Sequence, residues 1–81
     1  MKFINEPVPV EVRISADGTP QPVAFAWEGR RYEVADRGRA WVEGDVWCFL
    51  VMTYNEQVFE LRLLPDGRWM LARAPEHPYM A

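Results

Sequence analysis

Apolar and polar residues alternate along short stretches of this chain, and turn-forming residues separate the stretches. Every second residue is apolar from Val8 to Ile14, and the alternation returns between Val58 and Leu64. Such alternation is typical of strands that bury one face, whereas a helix requires apolar residues every three or four positions. No stretch has a convincing helical period, and a short helical turn around 36–41 is the only candidate. We therefore predict an antiparallel all-β domain.

The pattern predicts six strands joined mostly by tight turns. They cover 8–15, 23–27, 31–35, 46–54, 58–64 and 69–74. Pro7 and Pro9 cannot donate to a strand ladder, so the first strand is predicted at an edge. The strand at 46–54 is apolar on both faces, which indicates the most central position. The segment 36–45 is the least regular part of the chain.

Short strands with tight connections favour a strongly bent sheet or a small SH3-like barrel, because closing a sheet removes its exposed edges. The alternative is an open curved sheet whose uncovered face pairs in a homodimer. At 81 residues with 49% apolar side chains, the chain is expected to form one domain over 1–81. Its last residues, 75–81, are predicted to be a flexible tail because Pro75 and Pro78 interrupt regular structure.

Cysteine content and the length of apolar runs indicate where in the cell the protein is located. Cys48 is the only cysteine, which excludes an intramolecular disulfide. The longest apolar run, from Val46 to Met52, is far shorter than the roughly 20 residues that a membrane-spanning helix needs. The first seven residues do not have the composition of a signal peptide. We expect a soluble cytoplasmic protein with no membrane contact.

Charge is unevenly distributed along the chain. The net charge is −3, which argues against binding nucleic acid through a bulk positive field. The ten residues 30–39 nevertheless carry +2, and the remaining residues carry −5. A local basic patch on an acidic domain is therefore predicted.

Residues suited to catalysis are few. Ser15 precedes a turn, where a hydroxyl usually bonds the local backbone. His77 lies in the predicted tail, and Cys48 is predicted to be buried and inert between Trp47 and Phe49. We predict that the protein is not an enzyme.

A metal site has equally little support. Glu43 and Asp45 flank Gly44 and form the one pair of carboxylates that could bind a divalent cation. Two such residues without further ligands are usually a solvated turn. We predict no metal and no cofactor.

The strongest candidate for binding is a set of arginine and aromatic side chains. Its members are Arg30, Arg31, Tyr32, Arg37, Arg39 and Trp41. Arginines with interleaved aromatics can hold a phosphate backbone and stack a base. Alternatively, the arginines pair with Glu28, Glu33 and Asp36 above the sheet. Of the four tryptophans, Trp41 is predicted to be the most exposed.

Several short motifs resemble a bacterial domain family of unknown function, over most of Pro9 to Ala74. They are Val10-Glu11-Val12, Asp17-Gly18, Pro20, Phe25-Ala26-Trp27-Glu28-Gly29-Arg30-Arg31-Tyr32-Glu33-Val34, Glu60-Leu61 and Gly67-Arg68-Trp69-Met70-Leu71. Some members of that family are encoded near an error-prone Y-family polymerase. The resemblance implies an accessory role in DNA repair and assigns no activity to individual residues.

These observations lead to two hypotheses. The first is a non-enzymatic binding or adaptor module whose partner is a protein or a nucleic acid. The second is a structural homodimer or subunit that completes its core through the edge strand at 8–14 or the second face of the strand at 46–54.

Overall fold

The computed structural model describes residues 1–76, and its regular structure there consists entirely of strands. The seven strands are β1 (Lys2–Pro7), β2 (Val10–Ile14), β3 (Pro20–Trp27), β4 (Arg30–Glu43), β5 (Val46–Thr53), β6 (Val58–Leu63) and β7 (Trp69–Ala74). His77 and most of the predicted tail lie outside the described residues.

The strands form one curled antiparallel sheet in the order β1-β7-β6-β5-β4-β3-β2, with β5 in the central position that the sequence predicted. Only Val8 and Pro9 join β1 to β2, although these strands end the sheet on opposite sides. The sheet therefore curls until its ends meet at this corner. There Val8 N donates to Trp69 O at 3.1 Å, and Ala26 N donates to Pro9 O at 3.2 Å. The prediction of a strongly bent all-β sheet is confirmed.

The N-terminal part of the sheet differs from the prediction. The predicted first strand is divided at the Val8–Pro9 corner, and β1 is an additional strand on β7, so the count is seven rather than six. Val12 and Ile14 were expected to face the core but are exposed. The physical reason is that β2 pairs only with β3 and has a bulge after Glu11, so its far end extends beyond the core.

The segment 36–45 was predicted to be irregular, with a possible helical turn at 36–41, and both expectations are wrong. Most of it belongs to β4, a strand of 14 residues. β4 pairs first with β3 and then with β5, and two bulges between Val34 and Ala40 bend it from one neighbour to the other. β4 and β5 are close at Gly38, where a Cβ would stand 3.4 Å from the carbonyl oxygen of Leu50.

The core lies on the inner face of the curled sheet. Its fully enclosed side chains include Phe25, Phe49, Val51, Phe59, Leu61 and Leu71. Phe25 stacks on Tyr32 with ring centroids 5.2 Å apart, and the Phe59 ring lies 5.0 Å from each of them. Aromatic side chains from β3, β4 and β6 thus fill the space that the curl of the sheet encloses.

Local chemistry explains the turns. Glu28 and Gly29 both have positive φ, which is the two-residue hairpin geometry that matches strand twist. In the turn after β2, the Ser15 hydroxyl donates to Asp17 Oδ1 and contacts Thr19 O at 3.1 Å. The predicted structural role of Ser15 is confirmed.

Candidate functional site

The six predicted binding residues do not form one patch, because the strand that carries them is extended. A strand rises about 3.3 Å per residue, so Arg31 and Arg37 are separated by roughly 20 Å along β4. The set divides into three locations. These are the β3–β4 hairpin, the border of the inner face, and the outer face of the sheet.

Arg30, Arg31 and Tyr32 lie at the β3–β4 hairpin, and Tyr32 belongs to the core. Arg31 forms an ion pair with Glu11 on β2 rather than with the acids predicted for it. This hydrogen bond raises the pKa of Arg31 above its usual value. The hairpin borders a groove of about 310 Å³, in which the exposed aromatic side chain is Tyr54. The groove lining consists of Arg30, Arg31, Tyr32, Glu33, Thr53, Tyr54 and Asn55.

Arg37 is exposed at the border of the inner face, opposite Val51. Among residues 1–76 it has no ion pair within 4.0 Å. From Asp36 onward β4 pairs only with β5, so its other edge is open. Charged residues and bulges on such an edge prevent pairing with a foreign strand, which gives Arg37 a structural role.

Arg39 and Trp41 lie on the outer face of the sheet, together with residues far away in sequence. The strand register places Trp41 opposite Cys48, and Cys48 opposite Arg62. We call a set of charged and aromatic residues on this face the outer stripe, and Asp36, opposite Met52, lies on the same face beyond it. The members of the outer stripe are Phe3, Arg39, Trp41, Glu43, Glu60, Arg62 and Arg73.

Glu60 is the centre of the outer stripe and its side chain is only 1% exposed. It accepts hydrogen bonds from Arg62 Nε at 2.7 Å and from Arg73 Nε at 2.6 Å, and Arg73 Nη2 approaches to 2.5 Å. The bond to Glu60 is the main reason that the pKa of Arg62 lies above its usual value. A buried carboxylate is stable only when it is paired in this way. Glu60 therefore holds both guanidinium groups in fixed positions.

Aromatic side chains flank this centre on both sides. The Arg39 guanidinium lies 5.6 Å from the Trp41 ring centroid, and Trp41 Nε1 donates to Glu43 Oε2 at 2.7 Å. On the other side, the Arg73 guanidinium lies 6.0 Å from the ring of Phe3, which is 75% exposed. Both distances are within the range of a cation–π interaction.

Cys48 lies beneath the outer stripe and is fully buried. Burial is the main reason that the pKa of its thiol is raised above the usual value. The thiol is therefore protonated near neutral pH, which agrees with the expectation of an inert cysteine.

The carboxylate of Glu43 is engaged by neighbours on the outer face. Its two oxygens face Trp41 Nε1 and, at 3.9 Å, Arg62 Nη1. Within residues 1–76, no group of three or more His, Cys, Asp and Glu is arranged to hold a metal ion. In the same part of the chain, no helix has the length and apolar character required to cross a membrane.

The expectation that Trp41 is the most exposed tryptophan is wrong. Trp47, at the start of β5, is 37% exposed, whereas Trp41 is half-buried across the outer face. Phe3, Glu60, Arg62 and Arg73 were missed as site residues. The i, i+2 spacing of Glu60 and Arg62 places both on one face of a strand, but pairing with Arg73 depends on the β6–β7 register.

Comparison of the chain with protein-family models, curated proteins and solved structures found no significant match. The resemblance to the bacterial domain family therefore stays a prediction.

Proposed function

We propose that this protein is a non-enzymatic binding module whose partner docks on the outer stripe. The observation that supports this proposal is the buried carboxylate of Glu60 holding two arginines on an otherwise accessible sheet face. Side chains that are already fixed lose less conformational freedom when a partner binds. Exposed Phe3 beside Arg73 adds an apolar contact to the same surface.

The chemistry of the outer stripe favours binding over catalysis. Its two carboxylates are engaged by arginine and tryptophan side chains, and the nearby thiol of Cys48 is buried and protonated. Nucleophilic catalysis needs an accessible nucleophile beside a base. The family resemblance adds an accessory role in DNA repair to the proposal.

A structural homodimer remains the alternative function, but it has less support. The homodimer hypothesis rested on the second apolar face of β5. On that face Cys48 is buried and Leu50 is half-buried within the same chain, so little of these two side chains is left for a second copy to cover. The edge strands β1 and β2 both contain irregularities, which discourage pairing between chains. We expect light scattering to give a monomer at micromolar concentration, and a stable dimer would favour the alternative.

The test compares what tagged variants capture from a cell lysate, with and without nuclease. The double variant Phe3→Ala/Arg39→Gln alters the outer stripe at two exposed positions. Arg13→Gln is the matched control, because Arg13 is an exposed arginine on β2 without an ion pair among residues 1–76. We expect the stripe variant to lose partners that the wild type and the control retain. Equal capture by all three proteins would contradict the proposal.

A further inference from the structure

The two arginines at the centre of the outer stripe retain donors that can reach a ligand. A guanidinium has five N–H groups, and Glu60 accepts one hydrogen bond from Arg62 Nε and one from Arg73 Nε, while Arg73 Nη2 forms an ion-pair contact with the same carboxylate. Arg62 Nη1 stands 3.9 Å from Glu43, which is too long for a hydrogen bond. Both side chains are about one-third exposed, at 34% and 35%. Their remaining N–H groups are therefore available to solvent or to an anion.

The charge of this surface fits an anionic ligand. The outer stripe has three arginines and two carboxylates, and Asp36 lies on the same face opposite Met52, so the attraction for an anion comes from the two partly exposed guanidinium groups at the centre. Glu60 is enclosed behind Arg62 and Arg73, whereas the guanidinium groups reach the surface. An approaching anion therefore meets the arginines before it meets the buried carboxylate.

The flanking aromatics favour nucleic acid over an acidic peptide. Phe3 on β1 and Trp41 on β4 are separated by four strand spacings, which is about 19 Å across the sheet. Bases stack on aromatic side chains with roughly 1–3 kcal/mol each, and only unpaired bases expose their faces for it. An acidic peptide would use the arginines but not these rings. The arrangement thus fits an extended single strand lying across the sheet.

We infer that the outer stripe binds single-stranded nucleic acid, with Arg62 and Arg73 contacting phosphate groups and Glu60 acting as their positioning residue. This inference rests on the proposed function and names the partner of the same surface. Phe3 supplies the stacking platform at the β1 end. Binding uses backbone charge and base stacking, so it has little sequence preference.

The test is fluorescence anisotropy with a labelled oligothymidine in low and moderate salt. Neutralising two or three phosphates predicts that wild-type affinity falls about tenfold between roughly 50 and 200 mM salt. Arg62→Gln and Arg73→Gln are each expected to reduce the log–log salt slope by about 0.7. Arg13→Gln is the control and leaves the slope unchanged. Phe3→Ala lowers affinity by about fivefold or more without changing the slope.

The variant Glu60→Gln tests whether Glu60 positions the arginines or only repels the oligonucleotide through its negative charge. The substitution removes a negative charge from the surface, so charge alone predicts tighter binding to the oligonucleotide. If Glu60 positions the arginines, affinity and salt slope both fall instead. Thermal unfolding of this variant establishes that it is folded at the assay temperature.

A second variant covers the case in which Glu60→Gln does not fold. Replacing a buried ion triad with apolar residues is often neutral or stabilising, so Glu60→Leu/Arg62→Leu/Arg73→Met is expected to stay folded. It should lose the salt-dependent binding.

Absence of wild-type binding to the oligonucleotide, or unchanged slopes in both arginine variants, would overturn the inference. A labelled polyglutamate peptide that binds more tightly than oligothymidine would also overturn it and indicate a protein partner. If capture from the lysate depends on the outer stripe but survives nuclease, the proposed function stands and the inference fails. If capture does not depend on the stripe at all, both fail.

Discussion

The inner and outer faces of the same sheet each contain fully buried side chains, but the burial has a different chemistry on each face. Phe59 and Leu61 on β6 face inward and are enclosed by other apolar side chains. Glu60, the residue between them, faces outward and is just as inaccessible, yet two arginines enclose it. Burial by itself therefore does not distinguish a core from a surface in this molecule.

The difference lies in how each face depends on geometry. Apolar burial is non-directional and scales with the area removed from water. The outer face depends instead on hydrogen bonds of 2.6 and 2.7 Å to one carboxylate. Such bonds fix side-chain positions, but they fail when one partner is removed. The inner face thus determines stability, and the outer face determines which groups the sheet presents.

The largest effect is expected from opening the inner face. Phe59→Ala removes the ring that contacts both Phe25 and Tyr32, and a Phe→Ala change in a core costs about 3–5 kcal/mol. Urea unfolding monitored by tryptophan fluorescence would measure this loss. A loss below about 1 kcal/mol would mean that the inner face is not the main source of stability.

Glu60→Gln tests the outer face and is expected to cost about 2–3 kcal/mol, because it weakens charge-assisted bonds to two arginines. The apolar triple variant at positions 60, 62 and 73 should lie within about 1 kcal/mol of the wild type. Urea unfolding of both variants gives the comparison. A triple variant that is destabilised as strongly as Glu60→Gln would contradict the view that the charges mainly position side chains.

The reactivity of the Cys48 thiol measures how well the side chains of the outer face shield it from solvent. Trp41 lies directly opposite it, and residues paired in this way have Cβ atoms about 5 Å apart. We expect Trp41→Ala to increase the rate of thiol modification by a disulfide reagent about tenfold, since losing about 1.4 kcal/mol of local protection corresponds to that factor. Trp47→Ala is the control on the inner side of the same strand. Equal rates in all three proteins would show that Trp41 does not shield the thiol.

One carboxylate outside both faces, that of Asp17, is expected to contribute to the pH dependence of stability. Hydrogen bonds from the Ser15 hydroxyl, the largest cause, and from Thr19 lower the pKa of Asp17 from 3.8 to about 2. A group with a depressed folded pKa stabilises the fold above its unfolded pKa, and this contribution is lost as pH falls from about 4 to 2. Asp17→Asn should remove that part of the pH dependence, measured by thermal unfolding. An unchanged profile would show that the turn does not depend on the Asp17 charge.

The smallest effect on stability is expected at the exposed end of the outer stripe. Phe3 is 75% exposed, so Phe3→Ala should change the free energy of unfolding by less than about 0.5 kcal/mol. Its effect on binding should exceed its effect on stability. A large loss of stability would show that Phe3 stabilises the fold as the inner-face residues do.

Much of the sheet was predictable from local pattern. The predicted strands at 46–54, 58–64 and 69–74 agree with β5, β6 and β7 to within one residue. Alternation there is regular and the turns contain residues suited to them. The prediction failed along β4, where Gly38 and the bulges break the alternation, and at β1, which was not recognised.

The candidate site was predictable only in part. Arg39 and Trp41 are in the predicted set and lie on the outer stripe, but Tyr32 belongs to the core and Arg31 is paired with Glu11. Arginine and aromatic content could be counted in advance. Which arginines share a face could not be predicted, because a bulge of one residue shifts the register and moves the following side chains to the other face of the sheet.

The sequence by itself determined the all-β class, the central place of β5 and the residues that turn the chain, since alternation and turn chemistry act over a few residues. Only the tertiary structure decided that Arg73 meets Glu60, 13 residues earlier in the chain, and that Phe3 lies beside them. That meeting depends on how β6, β7 and β1 are aligned, including the register shifts in both pairings. Strand alignment is a property of neighbours in space, and for this reason the outer stripe becomes visible only in the folded sheet.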